Sequence, residues 1–159
     1  KARPDGDRYR LILLGDGARK ADLMQQAKAK NLDNVIFVDS VSKDEVVRYW
    51  SLLDVAIIHL RKTELFTTVI PSKLFECMGM GIPVLHGVAG ESAGIVEKEG
   101  AGIVFEPENA DALCDGLVKL AEDPALYEQY RSNALAGAKN YDRSELARKM
   151  LRVVESLRK

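Results

Sequence analysis

Residues 64–86 read ELFTTVIPSKLFECMGMGIPVLH, and the rest of the chain is organised around this stretch. It predicts a loop that ends at Pro71, followed by a helix with Ser72 as its N-cap. The glycines at 79–81 predict the end of that helix. Residues 83–86 then predict a short buried strand.

The start of this predicted helix is a candidate anion site. A helix that begins directly after a loop exposes unpaired N–H groups and the positive end of its dipole, which together favour a phosphate group. Lys73 adds a positive charge, and the Glu76 carboxylate, about one turn further, could accept hydrogen bonds from a ribose diol. The pattern therefore predicts a nucleoside diphosphate site. The alternative is that Lys73 and Glu76 form only a solvated ion pair on a surface helix.

The composition limits the possible functions. The 159 residues suit one domain, and the net charge of −1 provides no basic surface for nucleic acid or membranes at the level of the whole chain. Cys77 and Cys114 lie far apart, so we expect no zinc site, no disulfide framework and a reducing cytosol. No segment reaches a membrane-spanning length, and no signal peptide is recognisable. Because the sequence begins at Lys1, we expect it to be part of a longer protein.

Five apolar runs alternate with helical patterns along the chain. The runs cover residues 9–14, 35–38, 55–60, 83–86 and 102–105. Apolar strands separated by helices predict an α/β fold with a doubly wound, Rossmann-like, mostly parallel sheet covered on both faces. Ligands in such sheets bind beyond the carboxyl ends of the strands. The loops at residues 15–17, 39–42 and 61–70 are therefore expected to lie at the ligand edge.

The glycines after the first strand invite a second interpretation. Gly15 and Gly17 begin a G-x-G-x-x-G pattern, but Lys20 takes the place of the third glycine, and only Asp39 could serve as the acidic residue after the second strand. An NAD site is therefore disfavoured. We expect these glycines to form the turn and to let a ligand approach the backbone.

The two histidines allow no catalytic triad to be assigned. His59 and His86 each lie within an apolar strand, where a hydrogen-bonded histidine near the core is the commoner situation, and a role beside the ligand edge stays open for both. Glu64 and Glu76 lie on different predicted elements, so no pair of carboxylates can be placed for acid–base catalysis.

Several further motifs occur in a fixed order over nearly the whole chain. They are LILLGDG (residues 11–17), VIFVDSV (35–41), YWSLLDV (49–55), FECMGMGIPV (75–84), GESAGIVEKEGAG (90–102) and PENADALCDGLVKL (107–120). Together they resemble the C-terminal, donor-nucleotide domain of a GT-B-fold glycosyltransferase of the large retaining family 4. The fourth motif, which is similar to that family's E-A-M-A-x-G-x-P-V, is the most specific.

The resemblance implies a role for individual residues. Glu76 takes the position of the family's second conserved glutamate, which holds the ribose hydroxyls, and the backbone at 68–72 would meet the diphosphate and the donor sugar. Val41 lies where the base is contacted through backbone groups, and Lys73 would stabilise the diphosphate as the candidate catalytic cation. The expected substrate-binding residues are Gly15, Gly17, Val41, Thr67, Thr68, Val69, Ile70, Ser72, Lys73 and Glu76.

The chain departs from the family's pattern at two points. The family's E-x7-E motif would place its first glutamate at position 68, where this chain has Thr68, and Glu64 lies four residues too early. The sequence at 71–73, Pro-Ser-Lys, is similar to that of a subgroup (PSK-type) that builds bacterial surface polysaccharides. The family's basic pair for the diphosphate comes from a segment that would precede Arg8. Lys73 is therefore the cation expected near the phosphates, and the donor sugar is left undetermined.

The resemblance also implies the reaction. We expect residues 1–159 to form a single domain that binds a nucleotide-diphosphate sugar, with a UDP-sugar as the favoured donor. The sugar would be transferred, with retention of its anomeric configuration, to a glycan or a lipid-linked acceptor. This reaction would belong to lipopolysaccharide or polysaccharide biosynthesis. The acceptor domain would lie N-terminal to this sequence, so these residues alone should be inactive. We expect no metal or other cofactor, no nucleic acid partner and a cytoplasmic location, with peripheral membrane association of the whole enzyme at the inner face.

Two other functions stay open. One is an isomerase domain of the same fold, similar to UDP-sugar 2-epimerases, for which His59, His86 and Glu91 would be the available groups. The other is a non-catalytic nucleotide-binding module, which would bind no sugar nucleotide or would bind it without using Glu76.

Overall fold

The computed structural model describes residues 6–157. The internal contacts divide the chain into two compact units, the first up to Tyr49 and the second from Trp50 onward. We describe each unit by itself. The prediction of one domain over residues 1–159, with an acceptor domain outside it, stays a prediction.

The first unit contains two parallel strands and two helices. After a 3-10 turn at Gly6–Arg8 come β1 (Leu11–Leu14), α1 (Lys20–Ala29), β2 (Val35–Val38) and α2 (Lys43–Trp50), whose last residue belongs to the second unit. The strands β1 and β2 pair in parallel, with Leu11 opposite Val35 and Leu14 opposite Val38. A capping box begins α2, because the Ser42 N–H donates to the Glu45 carboxylate and the Glu45 N–H donates to the Ser42 hydroxyl.

The second unit contains three parallel strands and five helices. Its elements are β3 (Ala56–His59), a 3-10 helix (Glu64–Thr68), α3 (Ser72–Gly79), β4 (Val84–Gly87), α4 (Glu91–Glu99), β5 (Gly102–Val104), α5 (Ala110–Glu122), α6 (Pro124–Ala138), a 3-10 turn (Lys139–Tyr141) and α7 (Arg143–Ser156). The strand order is β3-β4-β5, and both pairings are parallel. All five predicted strands are therefore present with helices between them, although the strands pair as two sheets within the described residues.

The central strand β4 separates two apolar clusters of the second unit. Val84 packs in a cluster with buried residues of α3, α4 and α6, whereas the next residue, Leu85, packs on the other side with Phe105 and with Leu120 of α5. Alternate residues of a strand point to opposite faces, so this sheet is covered on both faces, as its apolar strands predicted. The last helix, α7, contributes no buried residue.

Local signals place several of the helix ends in the second unit. The Asn109 side chain accepts a hydrogen bond from the Ala112 N–H at the start of α5, and Asp123 caps α6, whose first residue is Pro124. The predicted glycine stop after α3 is confirmed, because Gly81 has a φ of 66° and ends the helix in the left-handed conformation.

Candidate functional site

The carboxyl ends of β3, β4 and β5 lie at one edge of the second unit's sheet, and the loops that follow β3 and β5 are joined there. The Lys62 ammonium lies 2.7 Å from the Glu106 carboxylate, and the Lys62 N–H donates to the Glu108 carboxylate at 3.2 Å. The Glu108 N–H donates to His59 Nε2 at 2.9 Å. The hydrogen bond with Lys62 lowers the pKa of Glu106, and the same contact raises the pKa of Lys62. The edge is thus held by contacts between two separate loops.

A cavity of about 200 Å³ opens at this edge. The loops after all three strands contribute to it, so the cavity lies beyond the carboxyl ends of the strands, where ligands of this fold generally bind. It is lined by Arg61, Lys62, Thr63, Glu64, Phe66, Thr67, Ala89 and Pro107. Thr67 is the predicted site residue among them.

The helix α3 begins one position differently from the prediction. Pro71, with φ −64° and ψ 125°, is the N-cap, and its carbonyl accepts a hydrogen bond from the Leu74 N–H at 3.0 Å. The prediction of Ser72 as the N-cap is wrong, because Pro71 is still extended while Ser72 already has helical geometry. No side chain within residues 6–157 caps the helix. As a result, the N–H groups of Ser72 and Lys73 donate to no group within the described residues.

The two charged side chains of this helix remain separate. Lys73 and Glu76 are both exposed. Within residues 6–157 no ion pair joins them, nor does either pair with another side chain. The interpretation of these residues as a surface ion pair is therefore not supported. A cationic group beside free helix N–H groups, with a carboxylate about one turn away, can bind an anion and a diol together.

The segment before the helix uses its side chains internally. The hydroxyls of Thr67 and Thr68 donate to the backbone carbonyls of Glu64 and Leu65, at 2.7 and 3.0 Å, and thereby hold the 3-10 helix that the sequence did not predict. Val69 and Ile70 follow in a half-buried segment. The Ile70 N–H, like that of Ser72, makes no backbone hydrogen bond with a described residue. This segment therefore offers backbone amides to a ligand, and its threonine hydroxyls are already engaged.

The remaining predicted residues belong to the first unit. Gly15 ends β1 with a φ of 136°, and the Gly17 carbonyl accepts a hydrogen bond from the Lys20 N–H. The Lys20 ammonium lies 3.0 Å from Asp16 and 2.5 Å from Asp39. The hydrogen bond from Lys20 lowers the pKa of Asp16 to about 2. Because Asp39 is already paired with Lys20, it is not a free ribose ligand of the kind that a dinucleotide site would need.

Val41 is half-buried in the link between β2 and α2. Its N–H and carbonyl form no backbone hydrogen bond within residues 6–157, so they could meet a base. The structure thus groups the predicted residues in two places. Gly15, Gly17 and Val41 follow the two strands of the first unit. Those from Thr67 to Glu76 lie on one continuous segment of the second unit.

The sequence did not reveal one buried polar contact. His86 of β4 and Ser92 of α4 are both fully buried, and His86 Nε2 lies 2.8 Å from the Ser92 hydroxyl. Burial lowers the pKa of His86 to about 4, so the imidazole is neutral at neutral pH. His86 is therefore a core histidine, whereas His59 is exposed and accepts the Glu108 N–H. Only the pairing of strand and helix shows that a serine six residues later reaches the ring.

The sequence profile of the family described as "Glycosyl transferases group 1" matches residues 1–136, which is most of the chain. The chain belongs to this family. Among curated proteins, alpha-D-kanosaminyltransferase of Streptomyces kanamyceticus is 29% identical to it over 126 residues, which make up 78% of this chain and 31% of that protein.

Solved structures agree on the fold of this glycosyltransferase group 1 domain. Anabaena Alr3699/HepE in complex with UDP matches with a TM-score of 0.80 and 22% identity over 94% of this chain and 41% of that one. Its complex with UDP-glucose matches with a TM-score of 0.78 and 21% identity over 92% and 41%. WaaG, a glycosyltransferase involved in lipopolysaccharide biosynthesis, matches with a TM-score of 0.66 and 19% identity over 82% and 34%. The Rossmann-like GT-B fold predicted from the sequence is confirmed.

The domain covers only part of these relatives. It spans about a third of the kanosaminyltransferase and about two fifths of Alr3699/HepE. Within residues 6–157, no helix is both long enough and apolar enough to cross a membrane.

Proposed function

We propose that this glycosyltransferase domain binds the donor of a retaining transfer reaction, a nucleotide-diphosphate sugar with UDP as the favoured nucleotide. The observation that carries the proposal is the open start of α3. The N–H groups of Ser72 and Lys73 are unpaired within the described residues, and the Lys73 and Glu76 side chains are exposed and free of ion pairs there. The complexes of Alr3699/HepE with UDP and UDP-glucose support the choice of nucleotide.

The groups at α3 would act on the leaving diphosphate. When the bond between the sugar and the phosphate breaks, negative charge grows on the phosphate oxygens. The N-terminal N–H groups of α3 and the Lys73 ammonium are fixed donors for that charge, and removing one such donor from a preorganised site costs about 3 kcal/mol of transition-state stabilisation. Glu76 would hold the ribose hydroxyls. We expect the reaction to need no metal or other cofactor.

The rest of the reaction would take place outside these residues. The acceptor, a glycan or a lipid-linked sugar, would bind to a further domain of a longer enzyme, and closure of the two domains would assemble the site. We place the enzyme in the PSK-type subgroup of bacterial surface polysaccharide synthesis and in the cytoplasm, with peripheral association of the whole enzyme at the inner face of the membrane. The Pro-Ser-Lys sequence at 71–73 supports the subgroup, and the likeness to WaaG, a glycosyltransferase involved in lipopolysaccharide biosynthesis, supports a role in making a surface polysaccharide.

The test is a titration of the protein with UDP, GDP and ADP followed by NMR. We expect UDP to bind most tightly and to shift the amide signals of Ile70, Ser72 and Lys73. The Glu76→Ala substitution should weaken binding about tenfold, which corresponds to about 1.4 kcal/mol. The matched control is Glu122→Ala, which removes an exposed glutamate from α5, and it should leave the affinity unchanged.

Three outcomes would contradict parts of the proposal. If UDP binds equally well to the Glu76→Ala and wild-type proteins, the ribose is held elsewhere. If a nucleotide binds but shifts no amide at residues 70–73, the diphosphate does not lie at α3. If no nucleotide binds at millimolar concentration, even when the titration is repeated on the full-length enzyme, the domain does not bind a nucleotide donor.

A further inference from the structure

His86 and Ser92 are polar side chains enclosed in an otherwise apolar core. Both are fully buried, and they contact each other at 2.8 Å. The second ring nitrogen of His86, Nδ1, is also buried and has no hydrogen-bond partner within the described residues. A buried polar group that lacks a partner costs stability, and a pair of apolar side chains in the same space would avoid that cost. Packing alone therefore does not account for this pair.

The hydrogen bond joins two elements next to the proposed donor site. His86 belongs to β4 and Ser92 to the first turn of α4. The backbone between them makes the turn that ends at Gly90, the N-cap residue of α4, which has a φ of 87°. Ala89, in the same turn, lines the cavity at the carboxyl edge of the sheet. The hydrogen bond thus closes the base of the turn that forms one wall of the cavity.

Gly90 connects this turn to the 3-10 helix Glu64–Thr68, which precedes α3. A β-carbon placed on Gly90 would lie only 2.0 Å from the carbonyl oxygen of Thr67, so the two backbones are in direct contact. Thr67 belongs to the 3-10 helix that precedes the unpaired amides of α3, and it also lines the cavity. A shift in the start of α4 would therefore be passed to Thr67 through backbone contact, because tightly packed groups cannot absorb a shift.

We propose that His86 is a positioning residue, which holds the start of α4 through Ser92 and thereby sets the position of the Thr67 segment for donor binding. His86 does not touch the ligand in this proposal. The inference rests on the proposed function, because the ligand that Thr67 faces is the nucleotide sugar.

Four variants separate this role from a purely structural one. His86→Gln keeps a side-chain amide where the Nε2 of the ring bonds to Ser92, and His86→Leu fills the space without any polar atom. Ser92→Ala removes the other partner, and the fourth variant combines His86→Leu with Ser92→Ala. For each protein we would measure the affinity for UDP by calorimetry, the urea midpoint of unfolding, and the hydrogen exchange rates of the Thr67 and Gly90 amides.

We expect His86→Leu and Ser92→Ala each to weaken UDP binding about tenfold and to speed exchange at Thr67 and Gly90. His86→Gln should stay within about threefold of wild type, and the double variant should bind no more weakly than either single variant, because both changes remove the same contact. If His86→Leu should fail to fold, Ser92→Ala still makes the comparison with wild type.

The proposal is overturned if folded Ser92→Ala, or folded His86→Leu, binds UDP with wild-type affinity and exchanges Thr67 at the wild-type rate. It is also overturned if His86→Gln is as impaired as His86→Leu, because the hydrogen bond would then not be the cause. If the wild-type protein binds no nucleotide, the donor function fails, but the exchange rates still decide whether His86 positions the Thr67 segment.

Discussion

Low pH should lower the free energy of unfolding of the second unit through one side chain, the buried imidazole of His86. The His86 imidazole has an ordinary pKa of 6.5, which burial lowers to about 4 in the folded protein. The unfolded chain therefore binds a proton at a pH where the folded protein does not. Stability that depends on neutral His86 is complete above about pH 6.5 and is lost as the pH falls towards 4. We expect a loss of about 2 kcal/mol at about pH 5 and about 3 kcal/mol once the folded pKa is reached.

The single tryptophan provides the assay. Trp50 packs against the cluster that contains Val84 and Val88, which lie two residues before and two residues after His86. Urea unfolding followed by Trp50 fluorescence at several values between about pH 8 and 5 therefore reports on the unit that contains His86. The main carboxylates with lowered pKa values, such as Asp16, Glu45 and Glu106, lose their contributions at lower pH, because their ordinary pKa values are 3.8 and 4.5.

The control makes use of the small number of histidines in the chain. Because His59 is the other histidine, His86→Gln should abolish most of the pH-dependent loss, while His59→Gln should keep it. If the His86→Gln protein loses as much stability between about pH 8 and 5 as the wild type does, the burial argument is refuted. The same holds if the wild-type protein shows no loss over that range.

Three further predictions concern glycine, cysteine and a helix cap. Gly90→Ala should lower the free energy of unfolding by about 2 kcal/mol or more, because Gly90 has a positive φ and no room for a β-carbon. Gly94→Ala, at an open position within α4, should raise the free energy of unfolding by about 0.5–1 kcal/mol. Urea unfolding measures both changes, and equal effects would contradict the reasoning. Burial raises the pKa of the Cys77 thiol to about 12, so Cys77 should not react with a thiol reagent near pH 8 in the native protein. The reagent should label only the half-buried Cys114 in the native protein and both thiols after unfolding. Rapid labelling of Cys77 in the native protein would argue against its burial. Ser42→Ala removes the cap of α2 and should lower the free energy of unfolding of the first unit by about 1 kcal/mol. Urea unfolding monitored by circular dichroism measures this change. An unchanged free energy would show that the capping box adds no stability.

The helix boundaries set by neighbouring residues could be predicted from the sequence. The caps at Ser42, Asn109 and Asp123 act within three residues, so a local sequence pattern contains the information that places them. The N-cap of α3 predicted at Ser72 is wrong by one position, because two local preferences compete there. A serine after a proline fits the N-cap, but the extended Pro71 already fills that place.

The candidate site depends more on contacts that are distant in sequence. The 3-10 helix before α3 has no strong sequence signal, since it rests on threonine hydroxyls that bond to the backbone and on the contact between Thr67 and Gly90. The bond between His86 and Ser92 requires the alignment of β4 with α4, and the tie of Lys20 to Asp39 requires the pairing of β1 with β2. No periodicity in the sequence contains such information.

The position of α7 has a practical consequence for preparing the protein. The helix contributes no buried residue, and it starts after its own cap at Asp142, which accepts hydrogen bonds from the Ser144 and Glu145 N–H groups. Its Met150 and Leu157 side chains are 71% and 80% exposed. A version that ends at residue 142 would lose these exposed apolar side chains and keep every side chain of the second unit that the structure describes as buried. Such a shorter version would be the natural starting material for crystallisation and for the NMR titrations.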